Sequence, residues 1–287
     1  MAIQLASKFE PYVDEKFTAE SKKSLLTNND FDWTGAHSIK VYKVTTADMN
    51  DYDRAGTNGN NSRYGAIHGL DAVTEELTLK KDRSFTFAID KLDTDETKQQ
   101  VQAASALERQ QREVVIPEID SYVYGVMTTL AGTKPDAVQL TKDNIYLEII
   151  KGNAALDNAD VPETGRSIVV TPDIYLLMKQ CKDIVMETDI SNELRIKGVI
   201  GMIDGANVIK VPAARLPKNF GFMIVHPSAT VSPTKLEDYK IHQDPPGISG
   251  SLVEGRICYD AFVLDNKAKA IYYQAVTAKA EETTPTV

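Results

Sequence analysis

The sequence predicts an α+β protein in which an extended hairpin and one very long helix accompany a compact mixed module. Three observations lead to this prediction. Residues 37–46 and 84–89 alternate apolar with polar side chains, as half-buried strands do. Residues 93–131 carry a helical apolar period. From residue 141 onward, two helical segments and several short β-branched runs follow one another, which favours a mixed module.

The composition argues against several classes of protein. The chain has 287 residues and a formal net charge of -9, from 32 basic and 41 acidic residues. It can bury a sizeable core, but it lacks the basic excess of a protein that grips nucleic acid through its phosphates. Cys181 and Cys258 are far apart and fit neither a disulfide framework nor a zinc site. No segment reads as a signal peptide or a membrane span, so we expect a protein of a reducing cytoplasm without membrane contact.

The first two elements are an arm and a hairpin. Residues 5–26 space Leu5, Phe9, Val13 and Phe17 by four positions, which predicts an amphipathic helical arm that needs a partner surface. Residues 47–69 are rich in Asp, Asn and Gly and leave almost nothing to pack, so they predict a long polar loop. An extended hairpin is therefore expected. It consists of the strand at 37–46, the polar loop, and the returning strands at 75–79 and 84–89.

The long helix is expected over residues 93–131. Acidic and hydroxyl residues at 93–96 suit a helix start, and Pro117 should kink or divide the helix near Ile116. A second helix is expected over 141–156. Thr171 and Pro172 begin a third, since Thr suits the cap and Pro the first turn. Short strands are expected at residues 167–170, 199–200, 208–211, 222–225, 256–264 and 270–273, and the polar tail 278–287 is expected to fray.

No motif predicts a catalytic, metal or cofactor site. The run from Gly247 to Ser251 falls one residue short of a nucleophile elbow, and its two preceding prolines favour a turn. Paired acids such as Glu118 and Asp120 occupy alternate positions and do not share a helix face. The four histidines stand in no metal-ligand spacing; they are His37, His68, His226 and His242. A hydrolase that uses Ser249 or His226 remains one alternative.

The order of features resembles the major capsid protein of tailed bacteriophages, which has the Hong Kong 97-type shell fold. The resemblance covers most of the chain. It rests on residues 85–90 leading into the helix with its 108–120 stretch, on residues 201–217, and on the closing segment 255–265. It implies an N-terminal arm at 1–37, an extended loop at 38–90, and a spine helix with peripheral domain at 91–139. It further implies an axial domain at 140–235 and returning strands with the tail at 236–287.

The resemblance also implies a function. The chain would assemble with itself, as hexamers and pentamers, into an icosahedral shell around double-stranded DNA, and would form the virion capsid after assembly in the host cytoplasm. A scaffolding protein and a portal are implied partners, and either a separate scaffold or prior processing would explain the short arm. An acidic subunit suits this role, because a container need not bind its genome tightly. An encapsulin-like compartment shell is the second alternative.

Candidate contacts with a neighbouring subunit lie on the extended loop. They are Arg54, Arg63, Asp48, Asp51 and Asp53, whose charges could instead simply be solvated. Some relatives weld subunits through a Lys–Asn bond. Here the loop offers Asn58, Asn60 and Asn61 but no lysine between Lys43 and Lys80, so we expect no crosslink between loop tips.

Overall fold

A computed structural model describes residues 21–28, 38–44, 46–56, 62–65, 69, 72–96, 103–181 and 199–277. The chain divides into two compact units. Trp33–Leu79 forms one, here the hairpin unit, and Met1–Asp32 together with Lys80–Val287 forms the other, here the main unit. Among the helices of the described residues, none is both long and apolar enough to cross a membrane.

The hairpin unit is a two-stranded antiparallel ribbon. Strand β1 (Ser38–Val44) pairs with β2 (Ala72–Thr78) in a register that sets Ser38 opposite Thr78 and Val44 opposite Ala72. Lys43 and Glu75 form an ion pair across the ribbon at 3.1 Å. Residues 38–44 thus form a strand inside the alternating segment 37–46, as the sequence predicts, and the long polar segment lies between the two strands in the chain. The predicted returning strand at 84–89 is wrong as part of this hairpin: it lies in Lys81–Asp90 of the main unit, which pairs with Gly250–Tyr259. Alternation identifies a half-buried strand but not its partner.

The main unit contains ten strands and five helices among the described residues. The strands are β3 (Lys81–Asp90), β4 (Ser167–Val170), β5 (Val199–Ile203), β6 (Ala206–Lys210), β7 (Phe220–Val225), β8 (Thr230–Val231), β9 (Thr234–Gln243), β10 (Gly250–Tyr259), β11 (Phe262–Val263) and β12 (Ile271–Ala275). The helices are α1 (Lys91–Glu96), α2 (Ala103–Gln110), α3 (Ile116–Thr129), α4 (Ile145–Asp157) and α5 (Pro172–Gln180).

The predicted long helix changes its hydrogen-bonding pattern just before Pro117. A π-helical turn, Gln111–Val115, joins α2 to α3, and Pro117 lies in the first turn of α3. Proline has no N–H to donate to the carbonyl of Glu113, so the regular α-helical hydrogen bonding is interrupted at this point. The change therefore occurs where the sequence predicts a kink or division.

A five-stranded mixed sheet forms the centre of the main unit, in the order β12-β7-β4-β6-β5. Strands β4 and β6 are parallel and the other neighbours antiparallel. One face, with Val169 and Met223, belongs to the same apolar cluster as α3. The opposite face, with Ile168 and Phe222, packs in a cluster with α4 and α5. Alternation along each strand thus fills two cores, one on each side of the sheet.

A separate three-stranded sheet has the order β3-β10-β9. Gly255 of β10 lies between Phe85 of β3 and Tyr239 of β9, whose ring centroids are 6.0 Å apart. A Cβ atom at Gly255 would lie 2.4 Å from the Phe85 ring, so only glycine lets the two rings meet. The sequence did not predict β9, and it placed the start of β10 at Arg256 rather than at Gly250.

The helical arm needs a correction at its end. The described part of it, residues 21–28, contains only a short 3₁₀ helix, Lys23–Leu25, and not the end of a helix reaching Leu26. Leu26 is fully buried, so its apolar character reflects docking into the core rather than one stripe of a helix. Several other predictions fall on residues that the structure does not describe. These are the rest of the predicted arm, the tail 278–287, His37, His68, Asn58, Asn60 and Asn61.

Candidate functional site

The five predicted contact residues all lie in the segment of the hairpin unit between β1 and β2. The backbone N–H of Asp53 donates to the carbonyl of Arg63 at 2.9 Å, which ties the two sides of the long segment together. The Asp53 carboxylate accepts the N–H of Gly56 at 2.8 Å. Asp48, Asp51, Arg54 and Arg63 are exposed. Both signs of charge therefore stand on a surface that the backbone holds in place.

The same unit exposes large apolar side chains. Met49 is 100% exposed, Tyr64 79% and Tyr42 71%. Tyr52 packs edge-on against Tyr64, with ring centroids 5.1 Å apart, yet both rings stay largely open to solvent. Aromatic and Met side chains exposed together on one small unit are typical of a surface that another protein covers.

In the main unit, residues 21–28 form a docked segment. The N–H of Asn28 donates to the carbonyl of Thr230 at 2.7 Å, and Asn28 forms a parallel bridge with Val231. The Lys22 ammonium donates to the carbonyl of Lys210 at 3.2 Å. With Leu26 in the core, these bonds fix the path of the segment over the main unit.

A buried charge cluster holds the start of this segment. Asp120 of α3 accepts the Ser21 hydroxyl at 2.6 Å with one oxygen and Arg215 at 2.7 Å with the other. Burial raises the pKa of the neighbouring Tyr124 phenol far above its ordinary value, and the Asp120 charge adds to this effect. Burial also lowers the pKa of Lys23, against the opposing pull of Asp120. Docking of the segment and charge pairing inside the unit therefore depend on each other.

A second buried carboxylate, Asp260, organises the point where the chain enters the main unit. Its two oxygens accept the N–H of Lys80 at 2.8 Å, the Tyr122 hydroxyl at 2.7 Å and the N–H of Ala261 at 2.8 Å. Lys80 is the first residue of the main unit after the hairpin unit. Asp260 thus joins the beginning of β3, the helix α3 and the end of β10.

The two hydrolase candidates lie in separate turns. Ser249 is exposed in the turn between β9 and β10, where its carbonyl accepts the N–H of Lys91 at 3.0 Å. His226 follows β7, and its Nδ1 lies 2.8 Å from the hydroxyl of Ser228. Burial lowers the pKa of His226, and nearby Arg166 and Lys267 add to this effect. Each residue has a structural role in its own turn, and neither turn brings a base and an orienting acid to Ser249.

No group of His, Cys, Asp and Glu residues in the described part of the chain could hold a metal ion. Glu118 and Asp120 lie on different faces of α3, as their spacing predicts: Glu118 accepts Arg83 at 2.7 Å, whereas Asp120 points inward to Arg215. A shallow groove of about 380 Å³ over β3, β10 and β9 is lined by Ser84, Thr86, Asp238, Lys240, Glu254 and Arg256. Its charged, open lining suits contact with a macromolecule better than enclosure of a small substrate.

Sequence patterns did not identify Asp120, Arg215 and Asp260 as the buried charges that hold the main unit together. Asp120 and Arg215 are 95 positions apart, and Asp260 and Lys80 are 180 positions apart. The only local signal was an acidic residue inside an apolar helical stretch, in the case of Asp120, and one at the end of an apolar strand, in the case of Asp260. Such residues call for a buried partner, but the sequence cannot say which one.

Comparison with solved structures shows the fold. A chain of Mycobacterium phage Che8 matches with a TM-score of 0.73 at 17% identity, over 94% of this chain and 96% of that one. A chain from the capsid structure of cyanophage P-SCSP1u matches with a TM-score of 0.71 at 13% identity, over 96% and 93%. A virus-like particle from Pyrococcus furiosus matches more weakly, with a TM-score of 0.53 at 12% identity over 89% and 92%.

No protein-family model and no curated protein matches the sequence. The chain nevertheless has the fold of phage capsid structures along almost its whole length. The predicted likeness to phage capsid chains is thus confirmed for the mixed α and β fold, and the Hong Kong 97-type parts stay a prediction.

Proposed function

We propose that this protein is the major coat protein of a tailed bacteriophage, which assembles with itself into an icosahedral shell around double-stranded DNA. The observation that carries the proposal is the near full-length likeness to phage capsid chains, which spans both units rather than one shared module. Fold alone does not fix function, so the surfaces must also suit assembly.

The hairpin unit supports the proposal. A two-stranded ribbon is marginal on its own in water, and this one exposes Met49, Tyr42 and Tyr64. A neighbouring subunit that covers these side chains would stabilise the ribbon and use the exposed charges for register. We assign Arg54, Arg63, Asp48, Asp51 and Asp53 to that contact. Many modest contacts of this kind become stable together in a closed shell.

In this proposal the parts of the chain have the Hong Kong 97-type roles. The arm is residues 1–37, the extended loop 38–90, and the spine helix with its peripheral domain 91–139. The axial domain is 140–235, and the returning strands and tail are 236–287. Hexamers and pentamers would form the shell in the host cytoplasm, with a scaffolding protein and a portal as partners. The net charge of -9 suits a container that encloses DNA without gripping it over its whole surface.

Sedimentation velocity of the purified chain, alone and with a scaffolding partner from the same genome, tests the proposal. We expect a fast-sedimenting particle or its capsomers above a threshold concentration. A single slow species of subunit mass under every condition, including with the scaffold, contradicts it.

The likeness to the Pyrococcus furiosus particle favours one second candidate, an encapsulin-like compartment shell. The two candidates differ in what the shell encloses. Particles purified from the natural source should contain double-stranded DNA for the phage coat and a protein cargo for the compartment. Neighbouring genes give a second discriminator: a portal or terminase gene favours the coat, and a gene for a cargo enzyme favours the compartment.

A further inference from the structure

Two lysines of the main unit meet at one aromatic ring. The ammonium of Lys179 lies 5.6 Å from the centroid of the Tyr175 ring, and that of Lys210 lies 5.5 Å from the same centroid. Both distances are within the range of a cation–π contact. The two charges are therefore at most about 11 Å apart, close to the Debye length of about 10 Å at 0.1 M salt, so their fields add.

The fold explains why these residues converge. Strands β4 and β6 run parallel, and Lys210 is in register with Val170 at their common end. Helix α5 begins directly after β4, capped by the Thr171 hydroxyl, which accepts the N–H of Ile174 at 3.2 Å. Tyr175 and Lys179 are four positions apart on α5 and share one face. The patch thus stands on rigid elements of the sheet and its helix.

Several lysines of the described residues are neutralised by a carboxylate. Lys43, Lys91, Lys151 and Lys240 each pair with a carboxylate. Within the described residues, Lys179 and Lys210 form no ion pair, although acidic residues outnumber basic ones. Two amines that meet at one ring in an acidic protein, neither with a carboxylate partner among the described residues, form a surface suited to an anion.

We propose that Tyr175, Lys179 and Lys210, here the cationic patch, bind phosphate groups of double-stranded DNA; this rests on the shell function proposed above, because the shell supplies the DNA. Ammonium groups suit phosphate oxygens as point charges, whereas carboxylates favour the planar fork of arginine. The half-buried Tyr175 ring is already occupied by two cations, so it positions lysines rather than stacking on bases. The patch gives an otherwise acidic subunit one local contact with the DNA backbone.

Fluorescence anisotropy with a short labelled duplex tests the patch, using the full chain at a series of salt concentrations. The variant Lys179→Ala/Lys210→Ala should weaken binding and reduce the slope of log affinity against log salt by about two, one unit per phosphate contact. The matched control is Lys142→Ala/Lys235→Ala, which removes the same net charge at two other exposed lysines. It should leave the slope unchanged. Tyr175→Phe should retain binding, and Tyr175→Leu should weaken it.

The proposal is overturned if the wild-type chain does not bind the duplex at low salt, or if both double variants lose the same amount. It is also overturned if polyglutamate displaces the duplex equally well per charge, because the patch would then be a general anion surface or a site for an acidic protein segment. Electron microscopy of the Lys179→Ala/Lys210→Ala variant separates this question from the shell function. Shells that form normally while binding is lost support the patch, and a wild-type chain that binds DNA but forms no shell contradicts only the shell function.

Discussion

Asp120 and Arg215 form an ion pair inside the main unit, with Asp120 Oδ2 and Arg215 Nη1 2.7 Å apart and side chains only 1% and 6% exposed. Ser21 donates to the other Asp120 oxygen. One carboxylate therefore joins helix α3, the turn after β6 and the docked segment 21–28. Because both charges are desolvated, neither tolerates loss of the other.

The first prediction follows from this pair. Asp120→Ala leaves the Arg215 guanidinium buried without a counter-charge and should reduce the free energy of unfolding by about 3–5 kcal/mol. Asp120→Leu combined with Arg215→Met removes both charges and should restore most of the loss. Urea denaturation of unassembled subunits measures the free energy of unfolding of the single and the double variant. Asp82→Ala, at an exposed ion pair with Arg256, is the control and should barely change the transition. Equal free energies of unfolding for Asp120→Ala and wild type would show that the Asp120–Arg215 pair does not stabilise the subunit.

Two glycines within helices provide a second prediction with opposite signs. A Cβ atom at Gly152 of α4 would lie 2.7 Å from Ile224 Cδ1 and 3.1 Å from the Tyr272 ring, whereas one at Gly125 of α3 would meet nothing within 4 Å. Gly152→Ala should therefore destabilise the subunit by about 1–3 kcal/mol through overpacking. Gly125→Ala should stabilise it by about 0.5–1 kcal/mol through helix propensity. Thermal unfolding of the two variants side by side compares them; changes of the same sign would contradict the packing of α4 on the sheet.

The third prediction concerns the loss of folding stability at acidic pH. Burial lowers the pKa of His226 below its unfolded value of about 6.5; a hydrogen bond with the Thr164 backbone opposes this shift, and Arg166 and Lys267 add to it. The unfolded chain then binds the proton more readily, so this group's contribution is full above about pH 6.5 and is lost as the pH falls toward the folded pKa. The neutral Nδ1 accepts the N–H of Ser228 at 3.3 Å, a bond that protonation removes.

His226→Asn keeps a side-chain acceptor but cannot titrate. Stability of this variant should therefore depend less on pH than that of wild type between about pH 6.5 and pH 5. Denaturation midpoints at matched pH values provide the measurement. Parallel curves for variant and wild type would show that His226 does not contribute to acid sensitivity.

The fourth prediction separates folding from assembly. Met49 and Tyr64 are 100% and 79% exposed, so Met49→Ser and Tyr64→Ser should change subunit stability by no more than about 0.5 kcal/mol. If a neighbour covers these side chains, each loss should cost more than about 1 kcal/mol per contact and raise the critical concentration for assembly roughly fivefold or more. Tyr64→Phe keeps the ring and should assemble nearly as wild type. Light scattering against concentration distinguishes the cases, and unchanged thresholds would exclude this surface from the shell contacts.

Local rules predicted much of the main unit. Thr171 and Pro172 start α5 where the capping pattern places its beginning, and residues 167–170 and 222–225 form buried strands as their β-branched runs indicate. Strand β9 was missed because its apolar positions are interrupted by exposed charges such as Asp238 and Lys240, which suit a sheet with one solvated face. A pattern that looks only for apolar runs does not detect such a strand.

The candidate sites were less predictable, for a physical reason. Periodicity shows which side of an element is buried but not which distant residue lies opposite. The bond from Asp260 to Lys80 and the convergence of Lys179 and Lys210 on Tyr175 depend on tertiary packing over long stretches of chain. The hairpin, by contrast, was predicted from local signals: residues 37–46 alternate apolar with polar side chains, and residues 47–69 lack the apolar side chains that a packed segment needs.

Electron microscopy of particles assembled from the purified chain tests the central claim most directly. The account predicts closed icosahedral shells built of hexamers and pentamers, with each hairpin unit lying on a neighbouring subunit. A matched variant in which residues 47–69 are replaced by a short turn should fold but fail to close shells. A monodisperse monomer in every micrograph, with and without a scaffolding partner, would contradict the account.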